Sequence, residues 1–197
     1  VGLVLLITLS LCYSAAADQD VVNIYNWGDY IGEEVLELFE HETGIKPNYM
    51  EFPTNEDMLP QVSVAHGAYD VVIPSDYMIE RMINNNVLAP INFDNVPNFE
   101  YTLSSLRNMD YDKENLYSVP YMWGTLGILY NKTMVDEADM DSWDAIFSDK
   151  YAGQVIMLDS MRDTLGIALK YIAAQKGTYY SLNTTNPIEL FEARDLL

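Results

Sequence analysis

The chain has 197 residues, 49% apolar and 20% charged, which allows one or two domains with real cores and excludes a disordered polymer. Thirty acidic residues against ten basic ones give a formal net charge of -20. That balance repels nucleic-acid phosphate and anionic lipid and favours cationic partners, although it also serves plain solubility.

Val1 to Leu11 is almost wholly apolar and is followed by Ser14-Ala15-Ala16-Ala17, small residues of the kind a signal peptidase accepts. Residues 1–17 read as an export signal cut after Ala17, with a retained anchor as the alternative; the run is short for a membrane span. The single Cys, Cys12, follows the bulky Leu11, where a lipid-attachment site wants a small residue. Cleavage downstream of it leaves no thiol, and therefore no disulfide. His41 and His66 stand far apart without zinc-ligand spacing, and no metal site is expected.

Val21 to Trp27 reads as a strand, rich in β-branched and aromatic residues, broken by Gly28-Asp29-Tyr30. Ile31 to Thr43 reads as a helix, with Val35, Leu36, Leu38 and Phe39 on one face and Gly44 as its stop. Ile45 to Phe52 is a second strand. Thr54 or Asn55 can cap a second helix to about Ala65. Tyr69 to Ile73 is a short apolar strand of the buried parallel type, ended by Pro74. Ser75 or Asp76 can cap a third helix through Ile83. This β-α-β-α-β-α order predicts a parallel sheet.

Residues 84–118 change texture and read as a surface connection with short helical turns. Val119 to Trp123 and Thr125 to Tyr130 read as strands around Gly124. Ser142 caps a short helix, Trp143 to Phe147. Gln154 to Leu158 reads as another buried strand, Met161 to Ala174 as a helix. Asn186-Pro187 opens a last helix, with Glu189 placed for a capping box. The chain stops inside that helix, which reads as a truncated second domain. A boundary near Pro120 to Gly127 divides 18–122, domain one, from 123–197, the start of domain two.

No phosphate-binding glycine loop, nucleophile elbow or paired-His helix is present. Asp110 to Glu114 and Asp139 to Asp141 lack the Gly and Glu of a calcium loop and read as acidic solvated turns. What remains stands at the C-terminal ends of expected parallel strands, where open α/β sheets bind ligands. These are Asn26 to Tyr30, Pro74 to Tyr77, and Asp159 to Asp163. Carboxylates pair with ammonium groups and Trp or Tyr faces attract cations, so the set suits a flexible amine. Each residue also has a plainer role. Trp27 could pack in the core; Tyr30 and Tyr77 could be half-exposed surface rings. Asp29 could cap the first helix, and capping is the better reading for Asp76. Asp163 could be a first-turn acid favoured by the helix dipole.

Four stretches carry a family resemblance: Tyr25-Asn26-Trp27-Gly28-Asp29-Tyr30, Phe39 through Ile45, Gly67 through Ser75, and Val119-Pro120-Tyr121-Met122-Trp123-Gly124. With them the chain resembles, from about Val21 to Leu197, the periplasmic spermidine/putrescine-binding proteins of ABC transporters. The resemblance implies an α/β fold of the type II periplasmic-binding-protein class, two α/β domains with a ligand cleft between them, the second incomplete here. It implies Trp27 and Tyr30 as walls of an aromatic box, and polar contacts from Asp29, Ser75 and Tyr77. Asp163 matches a Glu that holds an ammonium; Trp123 is a further candidate contact. Ser160 falls where the spermidine binder of the family has a second carboxylate, which the neighbouring Asp159 would have to replace. Gly28 replaces a hydroxyl residue of that member.

The resemblance further implies an exported, monomeric, non-enzymatic receptor at the periplasmic or outer membrane face. It captures a polyamine, putrescine or spermidine, for an ABC permease, with no cofactor and no nucleic acid. The alternatives are a binding protein for another small solute, such as a sugar or a different cation, and an enzyme of the glycosidase kind using Asp29 and Asp163 as paired acids.

Overall fold

The protein is described by a computed structural model that covers residues 19–65 and 67–197. The expected export segment 1–17, with its Cys12, and His66 lie outside the described residues. The chain divides into two compact units, Val1–Ser75 and Asp76–Leu197.

The first unit is a three-stranded parallel sheet. Strand β1 (Val21–Trp27) lies in the middle of the order β2-β1-β3. Its whole length pairs with β2 (Lys46–Phe52), from Val21 opposite Lys46 to Trp27 opposite Phe52. Helices α1 (Glu33–Thr43) and α2 (Asn55–Val64) supply the crossovers, as parallel strands require. Helix α1 begins two residues later than its apolar pattern suggests, because Gly32 is the N-cap and gives it no side-chain bond. Glu33 and Glu34 stabilise its first turn through the dipole. At its other end Gly44 takes φ 73°, a left-handed conformation, and its N–H closes the last turn on Glu40 O at 2.8 Å.

The third strand is shorter than expected. Strand β3 (Val71–Val72) pairs with β1 over two residues only. Asp70 N and Ile73 N extend the pairing to Asn23 O and Tyr25 O. The strand is also less buried than its apolar run suggests: it lies at the sheet edge, and Val71 is exposed. Aromatic packing ties the sheet together. The Tyr25 ring meets Phe52 edge-on at 5.0 Å and stacks on Tyr69 at 4.7 Å.

In the second unit, α3 (Asp76–Asn84) buries Met78 and Met82. The connection after it forms short 3-10 turns at Phe93–Asn95, Pro97–Tyr101 and Ser104–Leu106, as its texture predicts. One expectation there is overturned. Asp112 is not a solvated turn acid but a buried hub, 6% exposed, whose two carboxylate oxygens accept Leu116 N–H, Tyr117 N–H and the Ser118 hydroxyl at 2.8–3.0 Å. A carboxylate that receives three donors replaces its lost hydration.

The strands expected at 119–123, 125–130 and 154–158 do not form. Their apolar residues call for burial, but a strand also needs a neighbour to take its N–H and C=O groups, and none of the described strands pairs with them. Ile156 accordingly stands 96% exposed.

The helices are as read. Ser142 caps a 3-10 turn at Trp143–Phe147. Helices α4 (Met161–Gln175) and α5 (Pro187–Leu196) pack through Ala168, Leu169 and Ala193, flanked by Phe147, Leu165, Ile172 and Leu196. Asn186 caps α5 through Ile188 N–H. The Glu189 carboxylate takes the Asn186 side-chain amide at 3.1 Å, not the backbone N–H of a capping box.

Candidate functional site

In the first unit the candidate residues collect where β1 ends. Strand β1 carries Trp27 to the sheet's C-terminal edge, where its ring packs on buried Phe52 at 4.6 Å and leans toward Tyr30 at 6.1 Å. The plainer role of Trp27 is present, since one side packs against the core, and the half-buried ring leaves its other side toward the turn. The phenol of Tyr49 donates to Trp27 O at 3.0 Å, and Asn26, 2% exposed, accepts Trp27 N–H at 2.8 Å. The backbone around the Trp is thus fixed from two sides.

Asp29 follows at φ 60°. Asp and Asn enter the left-handed region more readily than other non-glycine residues, and that conformation turns the chain out of the ladder here. Its alternative role as a helix cap does not hold, since Gly32 is the N-cap of α1. The carboxylate of Asp29 is exposed beside Tyr30, which is also exposed. Gly28 leaves room for an acid that sequence reasoning did not reach: a Cβ there would lie 3.5 Å from Glu51 Oε2. The signal was the parallel register, which sets Glu51 opposite Asn26.

Ser75 is clamped from α2. Asn55, 3% exposed, donates from Nδ2 to Ser75 Oγ at 2.9 Å and accepts Ser75 N–H at 3.1 Å. The sequence offered Asn55 only as a possible cap. Thr54 takes that place, accepting Asp57 N–H at 3.1 Å, which releases Asn55 for Ser75. The hydroxyl keeps a lone pair and its proton for another partner.

In the second unit, Asp76 opens α3 and its carboxylate takes Tyr77 N–H at 2.7 Å, so it serves the helix start. The Tyr77 ring is covered by Arg162, whose guanidinium carbon stands 4.3 Å from the ring centroid. Asp159 and Ser160 do not stand at a strand end, because no strand forms at 154–158; they lead into α4. Ser160 is the N-cap, accepting Asp163 N–H at 3.3 Å. Asp163 sits in the first turn, where the dipole favours a carboxylate, and with Arg162, Leu126, Trp143, Ile167 and Tyr171 it lines a cavity of about 480 Å³. Trp123 is 70% exposed in a segment without regular structure.

Each unit thus brings aromatic faces and carboxylates together. The first gathers Trp27, Asp29 and Tyr30 at one strand end and holds Ser75 by its clamp on Asn55; the second sets Asp163 in one cavity with Arg162, whose guanidinium covers the Tyr77 ring. No nucleophile with an adjacent base is among these residues, and no described group of His, Cys, Asp and Glu could hold a metal ion. No described helix is long and apolar enough to cross a membrane.

Comparison with known proteins gives a consistent result. The chain is 32% identical to the spermidine/putrescine-binding periplasmic protein of Salmonella typhimurium over 97% of its own length and 53% of the relative's. It is 36% identical to the putrescine-binding periplasmic protein SpuD of Pseudomonas aeruginosa, covering 92% of this chain and 51% of that one. A solved structure of the spermidine/putrescine ABC transporter substrate-binding protein PotD from Streptococcus pneumoniae matches with a TM-score of 0.71 and 38% identity, over 90% of this chain and 53% of that one. The chain spans about half the length of the relatives it matches. The fold is part of the type II periplasmic-binding class that these structures share. Residues 34–196 match the model of one family, and the chain belongs to it: the bacterial extracellular solute-binding proteins.

Proposed function

We propose that the full protein is an extracytoplasmic receptor that captures a polyamine, putrescine or spermidine, and delivers it to an ABC importer without chemical change. The observation that carries this reading is the cluster at the end of β1: Trp27 held on Phe52, Tyr30 beside it, and Asp29 exposed at φ 60°. A protonated amine chain needs acids for its ends and rings for its methylenes, and this turn offers both. The relatives' printed names and the net charge of -20 support the same choice over an anion or a nucleic acid.

The binding residues of this proposal are Trp27, Asp29, Tyr30, Ser75, Tyr77 and Asp163, with Asp159, Ser160 and Trp123 as further contacts. Asp29 and Asp163 take ammonium groups; Trp27 and Tyr30 cover the apolar carbons; Ser75 orients an N–H through the lone pair Asn55 leaves open. Micromolar capture needs about 8 kcal/mol. Two charge-assisted bonds at about 1.5–3 kcal/mol each, and a few cation–π contacts at about 0.5–2 each, reach that order. The division into a first domain at 18–122 and a second from 123, action as a monomer, and the partnership with a permease belong to the same proposal.

The test is calorimetric titration of the complete protein with putrescine, spermidine and a neutral sugar. One-to-one amine binding, lost in Trp27→Ala and in Asp163→Asn, is the expected result. Sugar binding without amine binding overturns it.

A further inference from the structure

Arg162 is the second residue of α4, at the helix end where the dipole disfavours a cation. Among the described residues it forms no ion pair, in a chain with 30 acidic residues. Its guanidinium lies instead over the Tyr77 ring, 4.3 Å from the centroid, and its Nη2 donates to Asn183 Oδ1. Of the other cations over rings in this unit, Lys150 over Tyr151 has Asp139, Lys176 over Tyr180 has Glu192 and Arg194 over Phe191 has Asp195, while Arg107 over Phe99 and Lys170 over Tyr179 share with Arg162 the lack of an ion pair among the described residues. Arg162 is held by an aromatic face and a neutral amide, a weaker tether than a carboxylate. Asp163, next in sequence, lines the same cavity. The chain therefore keeps a cation of its own on a ring and next to an acid, the two kinds of group that recognise an ammonium.

We propose that Arg162 is a resident counter-cation that covers the Tyr77 face until an amine arrives, and that its charge biases the site toward diamines over triamines. This deepens the polyamine reading and rests on it. Moving the guanidinium off the ring forfeits one cation–π contact, which lowers affinity on the order of twofold to tenfold for any amine. Arg162 lines the cavity together with Asp163 and Lys170, so its charge stays on the side chain nearest the Tyr77 face when the ring is given up. Repulsion scales with ligand charge, so an amine with three charges loses more than one with two.

The experiment titrates the complete protein with putrescine and spermidine, in the wild type and in Arg162→Gln, Arg162→Lys and Asn183→Ala, with thermal unfolding of each unliganded variant as the folding control. Arg162→Gln is expected to bind both amines more tightly, with the gain for spermidine at least about threefold larger. Arg162→Lys, which keeps the charge, retains the wild-type ratio. Asn183→Ala, which frees the guanidinium without removing its charge, tightens both amines about equally and keeps the proposal testable if Arg162→Gln does not fold. An unchanged ratio in folded Arg162→Gln, or weaker binding of both amines, overturns the proposal while wild-type amine binding stands. If the wild type binds neither amine, the polyamine reading itself falls and takes the proposal with it.

Discussion

Replacing Asn55 by alanine separates the scaffold of the candidate site from its ligand contacts. Asn55 is 3% exposed and makes two bonds to one residue, one to the Ser75 amide and one to its hydroxyl. At about 0.5–1.5 kcal/mol net for each bond, deletion costs about 1–3 kcal/mol, and the upper end is favoured because the Ser75 N–H is left seeking a partner. Asn55→Asp keeps an acceptor for that N–H but loses the amide donor, so it should fall between alanine and wild type. The assay is urea unfolding of the complete protein, in which the midpoint shifts and the slope stays constant. Amine titration of the same variants should show weaker binding, since the Ser75 hydroxyl is no longer aimed. A loss below about 0.5 kcal/mol in Asn55→Ala would refute the clamp, because losing two buried bonds, one of them from a backbone amide, costs more than that.

Other outcomes follow from single residues. Asp29→Asn keeps a residue that tolerates φ 60° and removes only the charge, so unfolding should be nearly unchanged while amine affinity, read by calorimetry, falls about tenfold. Asp112→Ala strands three donors in the 108–118 knot and should cost about 2–4 kcal/mol, measured by chemical denaturation. Two ion pairs should put an acid and an alkaline limb on the pH profile of stability. The bond from Lys150 holds the Asp139 carboxyl below its ordinary value of 3.8, and the bond from Lys176 holds Glu192 below 4.5. A carboxyl with a depressed folded value contributes above its unfolded value and loses that contribution as the pH falls through the folded one. The paired lysines are raised above 10.5, chiefly by those same bonds, so their share is lost as the pH climbs through the raised values. Lys150→Met and Lys176→Met should flatten both limbs in unfolding melts taken across pH.

Much of this was legible in the sequence because local chemistry fixed it. The crossover order, Gly44 as a helix stop, Ser142 and Asn186 as caps, and Trp27 at a strand end all depend on residues near one another in the chain. The strands expected at 119–130 and 154–158 failed for the opposite reason. An apolar run describes a segment that wants burial, but a ladder exists only where a second strand offers its own N–H and C=O groups, and that is a non-local condition. The same distance in sequence hid Asn55, which meets Ser75 twenty positions away, and Arg162, which meets Tyr77 across most of the second unit. Asp112 was misread because composition counts acids without asking where their hydrogen bonds go.

The rigid and the adaptable parts of the first-unit cluster are built from different material. Trp27 belongs to β1, the strand paired on both sides, and its ring is seated on Phe52, one of the most buried side chains of the chain. The carboxylate of Asp29 sits two residues on, outside the ladder, in the left-handed region. A hydrophobic wall gains from rigidity, since a cation–π contact depends on a fixed ring face and a preordered ring loses little entropy on binding. A carboxylate gains from staying hydrated until it meets its cation, because burying it early would cost several kcal/mol without a partner. Placing the ring on the sheet and the acid on the turn meets both requirements within three residues. Trp27→Phe should therefore retain part of the amine affinity, while Trp27→Ala should lose both the affinity and the packing against Phe52, and parallel losses in the two variants would contradict this division.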